Sequence, residues 1–338
     1  MNYGGEKVYR EYTLNKTEAE LIGDIGFGHS VKVDTAIRKN ILIVGQNSYI
    51  GKSLIAYIDE HYSENFSYNA ISVRNEEWKD QDFSNYDVII HLAGIAHADV
   101  GNASEEEKER YYKVNTDLAV DVAKKAKKDG VKEFVYMSSM IVYGNSGKVG
   151  TPKIVTAKTV PNPANFYGDS KLQADVAIRE MSDDNFKVMV IRPPMIYGKG
   201  SKGNFATLAK LANKMPVFPS IDNARSMLYI DNLSEFMCQL MLIRDESIKR
   251  NATIFLPQNA EWEKTANVVK LIATAKGKKI VLLGILNPFV RLFSIIPGKI
   301  GNLANKAFGN MVYDLDASRY DGIDYQRVGM EEAVELMN

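Results

Sequence analysis

The chain has 338 residues, with 42 basic and 42 acidic side chains and 45% apolar residues, enough for one large α/β domain or a main domain with a smaller companion. Zero formal net charge excludes a broad nucleic-acid-binding surface, so phosphate recognition must come from a few placed arginines and backbone amides. The single cysteine, Cys238, excludes an internal disulfide framework. It fits a reducing compartment and, with no N-terminal apolar h-region, a cytoplasmic protein.

Residues 1–38 are polar and mixed, and are expected to form an N-terminal extension packed on the domain. Regular order begins at Asn40–Val44, a continuous apolar run of the kind a buried parallel strand shows. It runs into Gly45-Gln46-Asn47-Ser48-Tyr49-Ile50-Gly51 and a helical pattern to about Ile58. Strand, glycine-bearing turn and helix form a diphosphate cradle: Gly45 turns the chain, Gly51 lets helix and strand approach, and the helix start presents free N–H groups. Ser48 stands where a second glycine is often found. Further strands are expected at 69–73, 88–93, 132–137 and 187–191, with a long helix over roughly 104–129 that ends at Gly130. This alternation predicts a doubly wound parallel sheet, a Rossmann fold, with ligands outside the carboxyl ends of the strands. Cys238 lies in an apolar helical stretch and reads as a buried thiol.

After Arg192 the rhythm becomes irregular, with prolines at 193, 194, 216, 219, 288 and 297. A smaller substrate-binding domain is expected from 196–224 and 244–338, with about 225–243 returning to the dinucleotide-binding domain of 39–195. The stretch 280–296 is the most apolar. Asn287, Pro288 and Arg291 interrupt it, so it predicts a packed helix pair rather than a membrane span, with contact to a membrane surface as the alternative.

Tyr167 and Lys171 are four residues apart, hence on one face of a helix. A nearby ammonium favours a phenolate, and a serine at a preceding strand end, Ser139, could hold the same oxygen. His91 and His97 have no accompanying carboxylate or thiol cluster and read as structural, with no metal expected.

From Asn40 to the C-terminus the chain resembles the extended short-chain dehydrogenase/reductase family, in its nucleotide-sugar epimerase, dehydratase and reductase branch. The motifs arrive in that family's order: the Gly45–Gly51 turn, His91-Leu92-Ala93-Gly94, Asn115, Ser139 with Val142-Tyr143-Gly144, Tyr167 with Lys171, Arg192-Pro193 with Tyr197-Gly198, and Arg225 ahead of Tyr229-Ile230-Asp231-Asn232. The resemblance implies Ser139, Tyr167 and Lys171 as the catalytic set. It implies a cofactor site at Gly45, Ser48, Tyr49, Ile50, Gly51, Arg74, Asp82, Phe83, Leu92, Ala93, Gly94, Asn115, Tyr167, Lys171 and Pro194, with Asp82 and Phe83 flanking the adenine. Asn115 would support the lysine through the helix backbone and a water. Ser139, Asn204, Val217, Phe218 and Arg225 match positions that hold the substrate, a nucleotide sugar expected to be UDP-linked. Relatives commonly dimerise through helices matching about 104–129 and 167–182, which implies a homodimer.

An acidic residue at the end of the second strand would select NAD, whereas an arginine accommodates the phosphate of NADP. Arg74 stands there, so NADP is preferred over NAD. Met140 and Ile141 replace the acidic pair that a 4,6-dehydratase of this family carries. Met195 replaces an asparagine of the well-known UDP-sugar 4-epimerases. These departures favour NAD(P)H-dependent reduction of a UDP-4-keto sugar for surface polysaccharide synthesis, with a 4-epimerase holding NAD as the alternative. A non-catalytic dinucleotide-sensing module is the alternative of another class.

Overall fold

The computed structural model describes residues 33–96, 103–243 and 251–337. Most of the N-terminal extension, and His97, lie outside this range. Strand β1 (Lys39–Val44) enters helix α1 (Tyr49–His61), followed by β2 (Phe66–Ile71) and β3 (Val88–His91). The long helix is α2 (Glu105–Tyr112), a π-helical turn at 113–117, and α3 (Leu118–Lys128). Next come β4 (Glu133–Met137), the short β5 (Ile154–Val155), helix α4 (Phe166–Arg179), β6 (Lys187–Ile191) and β7 (Met195–Tyr197). The chain continues through α5 (Asn204–Lys214), β8 (Val217–Pro219), β9 (Met227–Tyr229), α6 (Ile230–Met241) and β10 (Ala252–Phe255). It finishes with α7 (Thr265–Ala275), β11 (Val281–Leu283), α8 (Asn287–Ile295), α9 (Lys299–Phe308), β12 (Val312–Tyr313) and α10 (Met330–Leu336).

Six parallel strands form the central sheet in the order β10-β6-β4-β3-β1-β2. Alternate residues of each inner strand feed opposite cores, as a two-residue side-chain period requires. Ile41, Ile43, Ile90 and Val135 pack on one face, and Leu42, Val44, Ile89 and Phe134 on the other. Both faces are covered by helices, which accounts for the uninterrupted apolar runs of β1 and β3. Cys238 is completely buried in α6, and burial pushes its thiol well above the ordinary range.

The structure differs from the sequence expectation in three places. The second strand spans Phe66–Ile71 rather than 69–73. The β9 strand pairs with β7 in a separate two-stranded sheet, so 225–243 adds no strand to the main sheet. The sixth main-sheet strand is instead β10, paired with β6 through Ala252↔Val188 to Phe255↔Ile191, within a stretch assigned to the smaller domain.

The end of β6 is joined to α4 by a buried ion pair. Arg192 and Asp175 are both fully buried, and the guanidinium donates from Nε (2.8 Å) and Nη2 (2.9 Å) to the two carboxylate oxygens. Arg179 donates to the same carboxylate at 2.8 Å, and Arg192 also donates to the Tyr143 hydroxyl at 2.8 Å. The two arginines hold the Asp175 carboxyl down at about 2 despite burial.

Breaking such a pair from one side strands a buried charge. Asp175→Asn is therefore expected to cost about 3–5 kcal/mol in urea unfolding, and Asp175→Leu with Arg192→Met to recover part of that loss. Because the folded carboxyl titrates below its ordinary 3.8, its contribution is complete above about pH 4 and lost as pH falls toward about 2. Acid titration of Asp175→Asn should show a shallower loss across that window.

Candidate active site

Gly45 ends β1 with φ +107°, a conformation that L side chains rarely adopt. A Cβ there would stand 2.6 Å from the Ala93 nitrogen, and one on Gly51 would stand 2.5 Å from the Gly45 carbonyl oxygen. The turn thus fits tightly under the loop after β3, whose Leu92 N–H donates to the Val44 carbonyl at 2.8 Å. Ser48 is the helix N-cap: its Oγ accepts from the Gly51 N–H at 2.9 Å. The amides of Tyr49 and Ile50, the first two helical residues, have no intrahelical acceptor and are directed at whatever lies before the helix. The Tyr49 hydroxyl is buried without a partner against Gly198, and burial raises it above the ordinary phenol range.

Deeper in the cleft, Gly94 lies over Lys171. A Cβ on Gly94 would meet Lys171 Nζ at 3.0 Å and Asn115 Oδ1 at 3.1 Å, so only a glycine leaves this approach open. Asn115 sits in the π-helical turn, where the widened backbone turns its side chain inward. It accepts from the Ile95 N–H (2.8 Å) and donates to the Ile95 carbonyl and the Ser170 hydroxyl (both 3.1 Å). It acts here as a clamp between the β3 loop and α4, directly next to the lysine.

Ser139 follows β4 and caps a 3-10 turn at Met140–Tyr143, its Oγ accepting from the Ile141 N–H at 3.3 Å. Tyr167 lies in the first turn of α4, capped by Asn165 Oδ1, which accepts from the Gly168 N–H at 3.0 Å. Its ring meets Tyr111 edge-on, with centroids 5.8 Å apart. Burial pushes Tyr167 up to about 12, and the nearby Ser139 hydroxyl opposes that rise.

Lys171 is 7% exposed. It donates to the Met137 carbonyl at 3.0 Å and lies 5.2 Å from the centre of the Tyr136 ring. Burial brings it down to about 8, with Asp175 pulling the other way. The ammonium thus bonds a backbone carbonyl, and Lys171 is not among the groups that shift Tyr167, whose rise comes from burial. Lys171, Asp175 and Arg179 follow Tyr167 at four-residue intervals, one stripe of α4. Asp175 was not recognised from sequence, although that repeated spacing is a visible signal.

The other candidate residues fall in three places. Arg74 is exposed beyond β2. Asp82 is exposed and accepts from the Ser84 N–H at 2.9 Å. The Phe83 ring is fully buried in the core, and its N–H donates to Asp129 at 3.1 Å. Its side chain therefore offers no face to an adenine. Pro194 is buried between β6 and β7. His91 is fully buried between the Phe134 and Tyr136 rings, and burial holds it down at about 3.

On the far side of the cleft, Asn204 is exposed at the start of α5. Val217 pairs with Val281, and Phe218 is 3% exposed, packed on Phe308 with centroids 5.5 Å apart. Phe218 thus holds the smaller lobe together. Arg225 donates from Nη2 to the Lys306 carbonyl, while its Nε is buried with no acceptor. Burial lowers this guanidinium to about 10, with no carboxylate among the described residues opposing it.

The glycine cradle, the free helix amides and the cleft opening over Gly94 fit a nicotinamide dinucleotide. Fold and glycine turn together define an α/β protein of the dinucleotide-binding class. A family profile described as "NAD dependent epimerase/dehydratase family" matches residues 41–252, and the chain belongs to that family. It is 28% identical over 309 residues to a UDP-glucose 4-epimerase of Vibrio cholerae, covering 85% of this chain and 90% of that protein. It is 29% identical over 217 residues to an N-acetyl-alpha-D-glucosaminyl-diphospho-ditrans,octacis-undecaprenol 4-epimerase of Escherichia coli O157:H7, covering 59% of this chain and 62% of that one. Among solved structures it is similar to MoeE5 in complex with UDP-glucose and NAD, with a TM-score of 0.62 and 15% identity, covering 87% of this chain and 96% of that one.

The burial of Lys171 gives it a stability signature of its own. Its folded value of about 8 lies below its ordinary 10.5, so the unfolded chain binds more protons between those two values and stability rises with pH across that window. Lys171→Met should abolish turnover yet unfold at no lower temperature near pH 7. It leaves Asp175 paired with both arginines and removes a desolvation cost of about 3 kcal/mol. The pH-dependent rise between about 8 and 10.5 should vanish in the variant, as thermal melts across that range would show.

Proposed function

We propose that the protein is a nucleotide-sugar oxidoreductase acting at C4 of a diphosphate-linked hexose, and that its net reaction is 4-epimerisation. The observation that carries this reading is the α4 stripe that sets Tyr167 one turn from the buried Lys171, whose ammonium lies on the Met137 carbonyl at the carboxyl end of β4 and under Gly94, with Ser139 two residues past that strand end. A bound nicotinamide dinucleotide supplies the hydride chemistry, held by the Gly45–Gly51 turn, the Tyr49 and Ile50 amides, Leu92, Ala93, Gly94 and Lys171. The remaining work falls to side chains of this chain. Tyr167, ionised to the phenolate in the loaded site, takes the proton of the C4 hydroxyl and returns it, being the titratable side chain nearest the serine turn on α4. Ser139 steadies that oxygen in both directions. The Asn115 clamp keeps the β3 loop pressed on Lys171.

The substrate diphosphate is assigned to Arg225. Among the described residues its buried Nε has no acceptor and no carboxylate faces it, which suits this guanidinium to a phosphate oxygen. A 4,6-dehydratase reading is disfavoured by the serine turn itself. Met140 is buried there, Ile141 gives its N–H to Ser139, and neither can act as an acid or base. Support for the epimerase outcome comes from the two relatives, both of which carry that activity in their names. The second reading, single reduction of a 4-keto sugar by NADPH, is favoured by Arg74, exposed where a ribose 2′-phosphate would fall.

The two outcomes separate in one assay. Purified protein given UDP-glucose or UDP-N-acetylglucosamine should yield the C4 epimer without net change in the 340 nm absorbance of added NADPH. Stoichiometric NADPH loss with a 4-keto-sugar, and no interconversion, establishes the reductase. Tyr167→Phe should lose at least about a thousandfold in kcat while retaining dinucleotide binding, since it removes the proton-transferring group and leaves the ring. Undiminished turnover in that variant would refute the assignment.

A further inference from the structure

Helices α8 and α9 form a hairpin on the smaller lobe with its apolar side turned outward. Of the thirteen large apolar side chains exposed among the described residues, nine lie between Val281 and Leu303. Ile285 is 75% exposed, Ile295 71% and Leu303 68%. Only Ser294 of α8 and Gly301 of α9 are buried. This inverts the ordinary surface helix, which packs its apolar stripe inward.

The inversion is built in by polar anchors on the inner side. Asn305 donates to the Ser294 carbonyl at 2.9 Å and accepts from the Val149 N–H at 2.9 Å. Asn287 donates to the Ser220 carbonyl at 3.2 Å. The hairpin is thereby held in one orientation, and its apolar surface cannot rotate inward without breaking these bonds.

Charge singles out what this face fits. From Lys264 to Tyr313 the chain carries Lys264, Lys270, Lys276, Lys278, Lys279, Arg291, Lys299 and Lys306 and no acidic residue, within a protein of zero net charge. Lys278, Lys279, Arg291, Lys299 and Lys306 are exposed around the apolar side chains. Apolar groups rimmed by one sign of charge match a bilayer interface with anionic headgroups, where aliphatic and aromatic side chains enter the acyl boundary and lysines meet phosphates. No described helix is long and apolar enough to cross a membrane, so the hairpin would lie on the surface.

We propose that α8 and α9 dock the protein on an anionic phospholipid bilayer. The docked face adjoins the candidate diphosphate site, because the Lys306 carbonyl in α9 accepts from Arg225 and Phe308 packs on Phe218. Docking therefore brings the phosphate-binding end of the cleft close to the headgroup layer. The inference depends on the exposed face alone and stands whichever reaction the site performs.

The test is co-sedimentation of the full chain with sucrose-loaded vesicles of phosphatidylcholine, with and without phosphatidylglycerol. Binding is expected to the anionic vesicles and to weaken with added salt. Phe289→Ser with Leu292→Ser should weaken it at least about tenfold through lost apolar insertion. Lys279→Glu with Lys299→Glu should weaken it independently through charge. Both pairs should keep the melting temperature and the turnover of a soluble nucleotide sugar. No sedimentation with either vesicle, equal binding to neutral vesicles, or unaltered binding by both pairs would overturn the proposal. So would a parent dimer, by light scattering, that becomes monomeric in the serine pair while neither protein binds vesicles, since the face would then belong to a second copy.

Discussion

The Asp175–Arg192 pair is the interaction on which the arrangement of the site rests. Arg192 leaves the end of β6 and reaches α4, so it fixes the helix that carries Tyr167 and Lys171 against the sheet. Its own carbonyl accepts from the Tyr313 hydroxyl at 2.6 Å, and its side chain donates to Tyr143 in the turn that follows Ser139. Sheet, catalytic helix, serine turn and C-terminal segment thus meet at one guanidinium. A buried pair contributes little net stability relative to apolar substitutes, but losing one partner is costly. Its value here is orientation: bidentate geometry leaves α4 little freedom to rotate relative to β6.

The same carboxylate enters the chemistry through Lys171, one turn away. Burial drives the lysine toward neutrality, and Asp175 is the charge that opposes it. The ammonium consequently sits near its titration point rather than far below it, held on the Met137 carbonyl. Tyr167 experiences burial with only Ser139 in its favour. Burial thus acts on both groups, lowering the ammonium and raising the phenol.

Much of this was legible in the sequence, for identifiable reasons. Strands β1, β3, β4 and β6 are buried on both faces, so continuous apolar runs betray them. The edge strand β2 is half-exposed along Phe66–Ile71, and its polar residues displaced the expectation by several positions. Strand β10 is four residues long, too short to show a period. Spacing alone puts Tyr167 and Lys171 on one face of α4, whereas Ser139 was added by the family resemblance. Asp175 was hidden because its meaning depends on Arg192, 17 residues away and on another element. Phe83 misled because a residue beside a ligand-binding loop can still point into the core, and backbone direction decides which.

The apolar stretch after Ile280 was also visible, yet its burial was misjudged for a reason that bears on function. Hydropathy expects apolar residues to be covered, and 280–296 reads as half of a packed helix pair. The pair does form, between α8 and α9, but its inner side is chosen by Ser294 and Asn305. Two polar side chains that bond backbone carbonyls and amides can outcompete a stripe of isoleucines for the interior, because a buried polar group without a partner costs more than an apolar one left in water. The consequence reaches the site. Asn305 is one residue from Lys306, whose carbonyl restrains Arg225, so the bonds that turn the apolar face outward also set the arginine that awaits an anion. The bond that turns the apolar face outward and the carbonyl that holds Arg225 therefore belong to one piece of backbone.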